Sequence, residues 1–216
     1  MSARTLSIPV AGTPHKLEAR LFAASPDRPL AVIAPPHPVY GGTIGNPVVR
    51  TLEQAFQDSG LSTLAFNFRG TGEFSVGEPS GEEEPAKQDY LAAVQHLSSS
   101  LPGTPLAWLS GYSFGSVATL AAAVELDFPR VLLVGPPFAL LDPALLAAYR
   151  GELTVLVGSE DEYAPVEQVR EVFGMRPHTR LEILDGIEHF FFGSSVQVLA
   201  KALTRVLPHP EAHRAP

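Results

Sequence analysis

Three side chains far apart in this sequence carry complementary chemistry: Ser113, Asp161 and His189. A serine hydroxyl does not attack a carbonyl unaided and needs a base within hydrogen-bond reach. A neutral imidazole is such a base near physiological pH. A carboxylate behind the ring holds it in one tautomer and stabilises its protonated form. Ser113 is the centre of Gly111-Tyr112-Ser113-Phe114-Gly115, a G-x-S-x-G pentapeptide. An apolar run precedes it (residues 106–109) and an Ala/Leu-rich stretch follows it (116–126), the strand–turn–helix setting that exposes a nucleophile. A turn that sharp leaves its flanks room for little more than hydrogen, which explains Gly111 and Gly115. The helix that starts there offers free N–H groups, and that of Phe114 is aimed where an oxyanion would form. A glycine-rich turn with a surface serine has the same five residues, so the weight falls on the partners.

Those partners need elements to carry them. Alternating apolar residues at 4–10 and 17–23, around the Gly12-Thr13-Pro14 turn, predict an antiparallel hairpin at a sheet edge. Apolar runs at 30–34, 61–66, 106–109, 131–134, 153–157 and 180–184 read as strands, most of them buried on both faces. Helical patterns fall between and after them, at 48–59, 82–98, 116–126, 143–149, 165–173 and 194–207. This is the pattern of an α/β domain with a mostly parallel sheet and helices on both faces. One such domain is expected over residues 1–207, with a frayed, proline-punctuated tail at 208–216. In these sheets the ligand crevice lies beyond the carboxyl ends of the strands.

The loops at those ends carry Ser113, then Asp161, then His189, the chain order of one known hydrolase triad. Glu160 and Glu162 compete with Asp161 for the acid's place, and Asp161 is favoured because Ala164-Pro165 then opens the next helix. His189, beside Phe190-Phe191-Phe192, has the alternative of being a packed core histidine. The loop from His37 to Gly42 is expected to supply a second oxyanion donor. Pro38 has no N–H, so the donor is Val39 or Tyr40, with Val39 preferred. The His37 imidazole is expected to brace this loop by bonding backbone. Arg69, in the turn 67–72, reads as a loop brace, since that turn lacks the Lys and Ser/Thr of a phosphate-binding loop. No spacing of His and carboxylates suggests a metal; His209 and His213 fall in the expected frayed tail.

Composition narrows the class. A formal charge of −8 and a pI near 5.3 argue against nucleic acid and anionic membrane surfaces as partners. The absence of Cys excludes disulfides, a thiol nucleophile and thiolate metal sites. The first residues lack a signal-peptide core, and no window is apolar enough to span a bilayer, so a soluble cytoplasmic protein is expected. Oligomeric state stays open.

Taken together, the segments HPVYGGTIGNPVV (37–49), FNFRGTGEFSVG (66–77), GYSFG (111–115), GSEDEYAP (158–165) and GIEHFF (186–191) resemble the α/β-hydrolase superfamily. Within it, the chain is similar to small bacterial serine hydrolases of the dienelactone-hydrolase-like group. The resemblance implies the α/β-hydrolase fold with about eight strands, a Ser113–Asp161–His189 triad, and hydrolysis of small-molecule esters or thioesters without a cofactor. Two departures stand out. Dienelactone hydrolase itself uses a Cys nucleophile, which this chain lacks, and Asn67 stands where many relatives have Asp. Many members insert a cap domain after the sixth strand, whereas residues 135–151 are too few for one. An open, shallow site is therefore expected, lined by Tyr40, Tyr112, Phe138 and Phe190-Phe191-Phe192. The expected activity is carboxylesterase-like, through an acyl-enzyme on Ser113. The alternatives are an acyl-thioesterase, a small peptidase related to the prolyl-oligopeptidase catalytic domain, or a non-catalytic binding protein on the same fold.

Overall fold

Eight strands form one sheet, in the order β1-β2-β4-β3-β5-β6-β7-β8. They are β1 (Arg4–Pro9), β2 (Lys16–Phe22), β3 (Leu30–Ala34), β4 (Ser62–Phe66), β5 (Leu106–Tyr112), β6 (Arg130–Val134), β7 (Glu152–Gly158) and β8 (Thr179–Leu184). The computed structural model describes residues 3–23 and 28–208, so the expected frayed tail lies outside the described residues, Pro208 apart. β1 and β2 form the expected antiparallel hairpin at one edge, and β2 pairs antiparallel with β4. Every later pairing is parallel.

The helices are α1 (Pro47–Asp58), α2 (Glu83–Ser100), α3 (Phe114–Glu125), α4 (Pro143–Ala148), α5 (Val166–Phe173) and α6 (Ser195–Val206). Side chains along a strand point alternately to the two faces, so each buried strand feeds two cores. Ala31, Ile33, Ala65, Leu132, Val134 and Leu156 face α1 and α6. Leu30, Val32, Leu64, Phe66, Leu109, Leu133, Val155 and Val157 face α2, α3 and α5. All five residues of β3 and of β4 are buried, which is why β3 reads as an unbroken apolar run, while β4 opens with the buried hydroxyls of Ser62 and Thr63. Each large aliphatic side chain so buried stabilises the fold by about 1.5–3 kcal/mol. α1 starts where Asn46 Oδ1 accepts the Val48 N–H at 2.9 Å, with Pro47 at the first helical position.

Two parts of this frame hold the site loops. Tyr90 of α2 reaches into the sheet, where its hydroxyl donates to the Val32 carbonyl (2.9 Å) and accepts the Ser110 N–H (2.9 Å). It thereby ties β3 to β5 just before the turn at Ser113. Arg69 lies almost buried against α2, with its guanidinium Nε on Asp89 Oδ1 and its own N–H on Asp89 Oδ2, both at 2.8 Å. Its guanidinium also donates to the Pro85 carbonyl at 3.0 Å. Burial pushes the Asp89 carboxyl up from its ordinary pKa, and the bonds from Arg69 pull it back.

Candidate active site

β5 runs straight into the turn. Gly111 and Tyr112, which a turn reading would place outside the strand, still pair with Ala34, Leu133 and Val134 in the neighbouring strands. Ser113 follows at φ 53°, ψ −124°, a conformation that costs an L-residue about 1–3 kcal/mol. Its backbone is pinned there, its N–H donating to the Val134 carbonyl at 2.9 Å. A Cβ on Gly111 would overlap the Gly115 carbonyl oxygen, and one on Gly115 would lie 2.5 Å from the Pro35 carbonyl oxygen. The two glycines are thus dictated by close backbone approach on both sides of the serine.

From Ser113 a line of polar atoms runs inward. Ser113 Oγ lies 2.9 Å from His189 Nε2. His189 Nδ1 lies 2.9 Å from both Asp161 oxygens. Asp161 and His189 are 3% and 4% exposed, so this pair is screened from water while the serine opens to the cavity. An ionised carboxylate only accepts, which places the proton of the neutral ring on Nδ1 and leaves Nε2 to accept from the hydroxyl. Asp161 Oδ1 also accepts the N–H groups of Tyr163 (2.9 Å) and Ala164 (3.1 Å) at the approach to α5. Glu160 and Glu162, its competitors by sequence, are exposed.

Packing holds the imidazole as firmly. The buried Tyr112 hydroxyl donates to the His189 carbonyl at 2.9 Å. Burial, and then the negative charges of Asp161 and Glu188, push that phenol's pKa up, so it stays a donor. The Tyr163 ring lies 4.5 Å from the His189 ring and the Phe190 ring 5.2 Å, edge-on. Gly135, at φ 52°, leaves the Asp161–His189 pair just enough room: a Cβ there would lie 3.3 Å from Asp161 Oδ2 and 3.4 Å from His189 Nδ1.

The loop after β3 differs from expectation. Pro38–Tyr40 forms a short 3-10 turn, in which the Tyr40 N–H donates to the His37 carbonyl at 3.2 Å. Tyr40 therefore has no N–H to offer an oxyanion. Val39 is half exposed and does not line the cavity, whereas His37 does. Among the described residues the N–H groups of His37, Val39 and Phe114 bond no other backbone group, and of the three residues only His37 and Phe114 line the cavity. His37 does not brace the loop by a backbone bond either. Its buried Nδ1 has no partner, and the ring is held between Phe114 (4.7 Å) and Tyr40 (4.6 Å), with Gly81 against its edge. Burial lowers the His37 pKa, as suits a ring packed without an acceptor.

A cavity of about 440 Å³ opens over Ser113. Tyr40, Tyr112 and Phe190 line it; Phe138 does not. The N–H of Phe138 is fixed on the Tyr163 carbonyl at 2.8 Å, and its ring packs edge-on against Phe173 in the core. Leu140, at the end of the same 3-10 turn, Phe138–Leu140, takes its place. Phe191 and Phe192 also stay out of the cavity: Phe191 is buried in the core that faces α1 and α6, and Phe192 is exposed and stacked on Phe190. Sequence reasoning missed Asn46, Pro137, Leu140 and Tyr163 as lining residues. Only Tyr163 had a signal, its position two residues past Asp161. A larger and more open depression, about 860 Å³ with Arg130, Glu152 and Thr179 in its walls, lies at the amino ends of the strands, away from Ser113.

No protein-family model matches the chain. An uncharacterized protein of Rickettsia prowazekii is 27% identical over 198 residues, 83% of this chain and 79% of that protein. Among solved structures, an alpha-beta serine hydrolase homologue from Coxiella burnetii superposes with a TM-score of 0.83 at 27% identity, covering 96% of this chain and 98% of that one. A protein from Xanthomonas campestris, described as an a/b serine hydrolase without lid, superposes with a TM-score of 0.81 at 24% identity, covering 99% and 97%.

Proposed function

We propose that this chain, which has the α/β-hydrolase fold without a lid, is a serine hydrolase that cleaves small esters through an acyl-enzyme on Ser113. One observation carries the reading: the unbroken contact from Ser113 Oγ through His189 to Asp161, with each step at 2.9 Å.

In this mechanism His189 Nε2 takes the hydroxyl proton as Ser113 Oγ bonds to the ester carbonyl carbon. Asp161 stabilises the imidazolium. The tetrahedral oxyanion is held by the Phe114 N–H, at the start of α3, and by the His37 N–H, which faces no backbone acceptor. Collapse expels the alcohol, which takes the proton from Nε2. Water, deprotonated by the same nitrogen, then attacks the acyl-enzyme and releases the acid. Each donor of this kind is worth about 3–4 kcal/mol in the transition state. The cavity opens without a lid, so water reaches the acyl-enzyme directly.

Labelling with a fluorophosphonate, followed by an ester panel on wild type and Ser113→Ala, tests this. A single adduct on Ser113, with turnover abolished in the variant, is the expected result. Equal turnover by both proteins would overturn it.

A further inference from the structure

The walls of the cavity speak to the charge of the substrate as well as to the bond. Pro36, Phe114, Pro137, Leu140, Tyr163 and Phe190 make most of its surface apolar. No Lys or Arg lines it among the described residues. Arg69, on the neighbouring loop, is nearly buried and committed to Asp89. The fixed charges on the loops around the site are acidic instead. Asp161 sits behind His189. Glu188 precedes it, its carboxylate held by the Phe192 N–H at 3.0 Å and the Phe190 N–H at 3.4 Å. Glu160 and Glu162 flank Asp161 on the exposed side of the same loop.

Around the mouth stand large rings in water. Tyr40 is 85% exposed, Phe192 71%, Phe190 47% and Tyr163 46%. They are not scattered: Phe190 stacks on Phe192 at 5.6 Å and meets Tyr163 edge-on at 5.9 Å. Exposed aromatic surface gathered at the rim of an apolar cavity marks a place where flat apolar groups bind. An anionic group brought there would lose its water and find no cation, with the carboxylates of Glu188, Glu160 and Glu162 on the loops around the site.

Resting on the Ser113 reading above, we propose that the site takes uncharged esters bearing a flat apolar group, and rejects esters that carry a carboxylate near the scissile bond. The rim rings hold the flat group, and the acidic loops exclude the anion.

The test is a matched pair, 4-carbamoylphenyl acetate against 4-carboxyphenyl acetate, nearly equal in shape and different in charge. Each kcat/KM is divided by the ester's rate of alkaline hydrolysis, which removes intrinsic reactivity. The uncharged ester is expected to be preferred by about tenfold or more at low salt. The preference should shrink at 0.5 M NaCl, where charges are screened within a few Å. It should also shrink in Glu188→Gln, which removes the charge and keeps one oxygen for the shorter of the two bonds, from the Phe192 N–H. Phe190→Ala should raise KM for the carbamoyl ester several-fold more than for methyl acetate. Fluorophosphonate labelling with equal turnover of the two esters, or faster turnover of the anionic one, would overturn the proposal and leave the Ser113 reading intact. Absence of both labelling and turnover would sink the Ser113 reading itself.

Discussion

Two buried aspartates, Asp89 on α2 and Asp161 in the loop after β7, make an instructive pair. Asp89 meets Arg69 and Asp161 meets His189; Asp89 also accepts one backbone N–H and Asp161 two. Both are almost inaccessible to water. The difference lies in the partner. Arg69 is permanently charged and spends its donors on α2 and on Asp89, so that pair locks a loop to a helix. His189 has a second nitrogen, and that nitrogen faces the Ser113 hydroxyl at the floor of a cavity. A buried carboxylate becomes chemically useful when the group it orients can exchange a proton with something beyond it.

Separating the two pairs by mutation gives the largest expected effects. Ser113→Ala or His189→Ala should lower kcat/KM for an aryl ester by at least about 10⁴-fold; the urea-unfolding midpoint should be little changed in Ser113→Ala and lowered in His189→Ala, which leaves Asp161 buried without its partner. Asp161→Asn should fall in the same range, because the amide no longer holds the ring with its proton on Nδ1. Asp89→Asn should do the reverse. Leaving Arg69 buried without its counter-charge should cost about 3–5 kcal/mol of unfolding free energy, while the protein that remains folded keeps its kcat. If Asp89→Asn abolishes activity in protein that circular dichroism shows to be folded, the contrast fails.

A smaller effect sharpens the comparison. Tyr112→Phe leaves the His189 carbonyl without its buried donor, an expected loss of about 1–3 kcal/mol in stability by urea unfolding. A drop in kcat with KM held would show that this bond positions the imidazole and does more than support the core. The smallest effect concerns His37. Burial sets its folded pKa below its unfolded value, so the unfolded chain binds the extra proton. Stability should therefore be fully present above the unfolded pKa, near 6.5, and decline as pH falls below it. His37→Gln should flatten the Tm-against-pH curve in that window.

Much of this was legible in the residues. The strands and helices lie within a few residues of their expected bounds, because buried parallel strands are short apolar runs punctuated by Gly and Pro. The largest discrepancy is β5, which runs on to Tyr112 where the apolar run ends at Leu109. Gly111 signals a turn by composition, yet it is required here by the approach of the Gly115 carbonyl while still laddered to two strands. The 3-10 turn at Pro38–Tyr40 has no periodicity to betray it, and it removes Tyr40 from the expected oxyanion donors. Phe138 looked like a wall residue for want of any sign that its ring turns toward Phe173.

Phe190, Phe191 and Phe192 show where the boundary falls. The residues themselves determined the strand sequence, the glycines of the elbow and the order of hydroxyl, carboxylate and imidazole, because those follow from local sterics and from the chemistry each side chain can do. Three identical neighbours then meet three fates: one lines the cavity, one fills the core at φ 52°, one stands in water. Only the tertiary structure decided that, as it decided the strand order and the meeting of Ser113 with His189 across 76 residues. Which way a ring points depends on the space left by distant segments, and that space exists only once the sheet and its helices have packed.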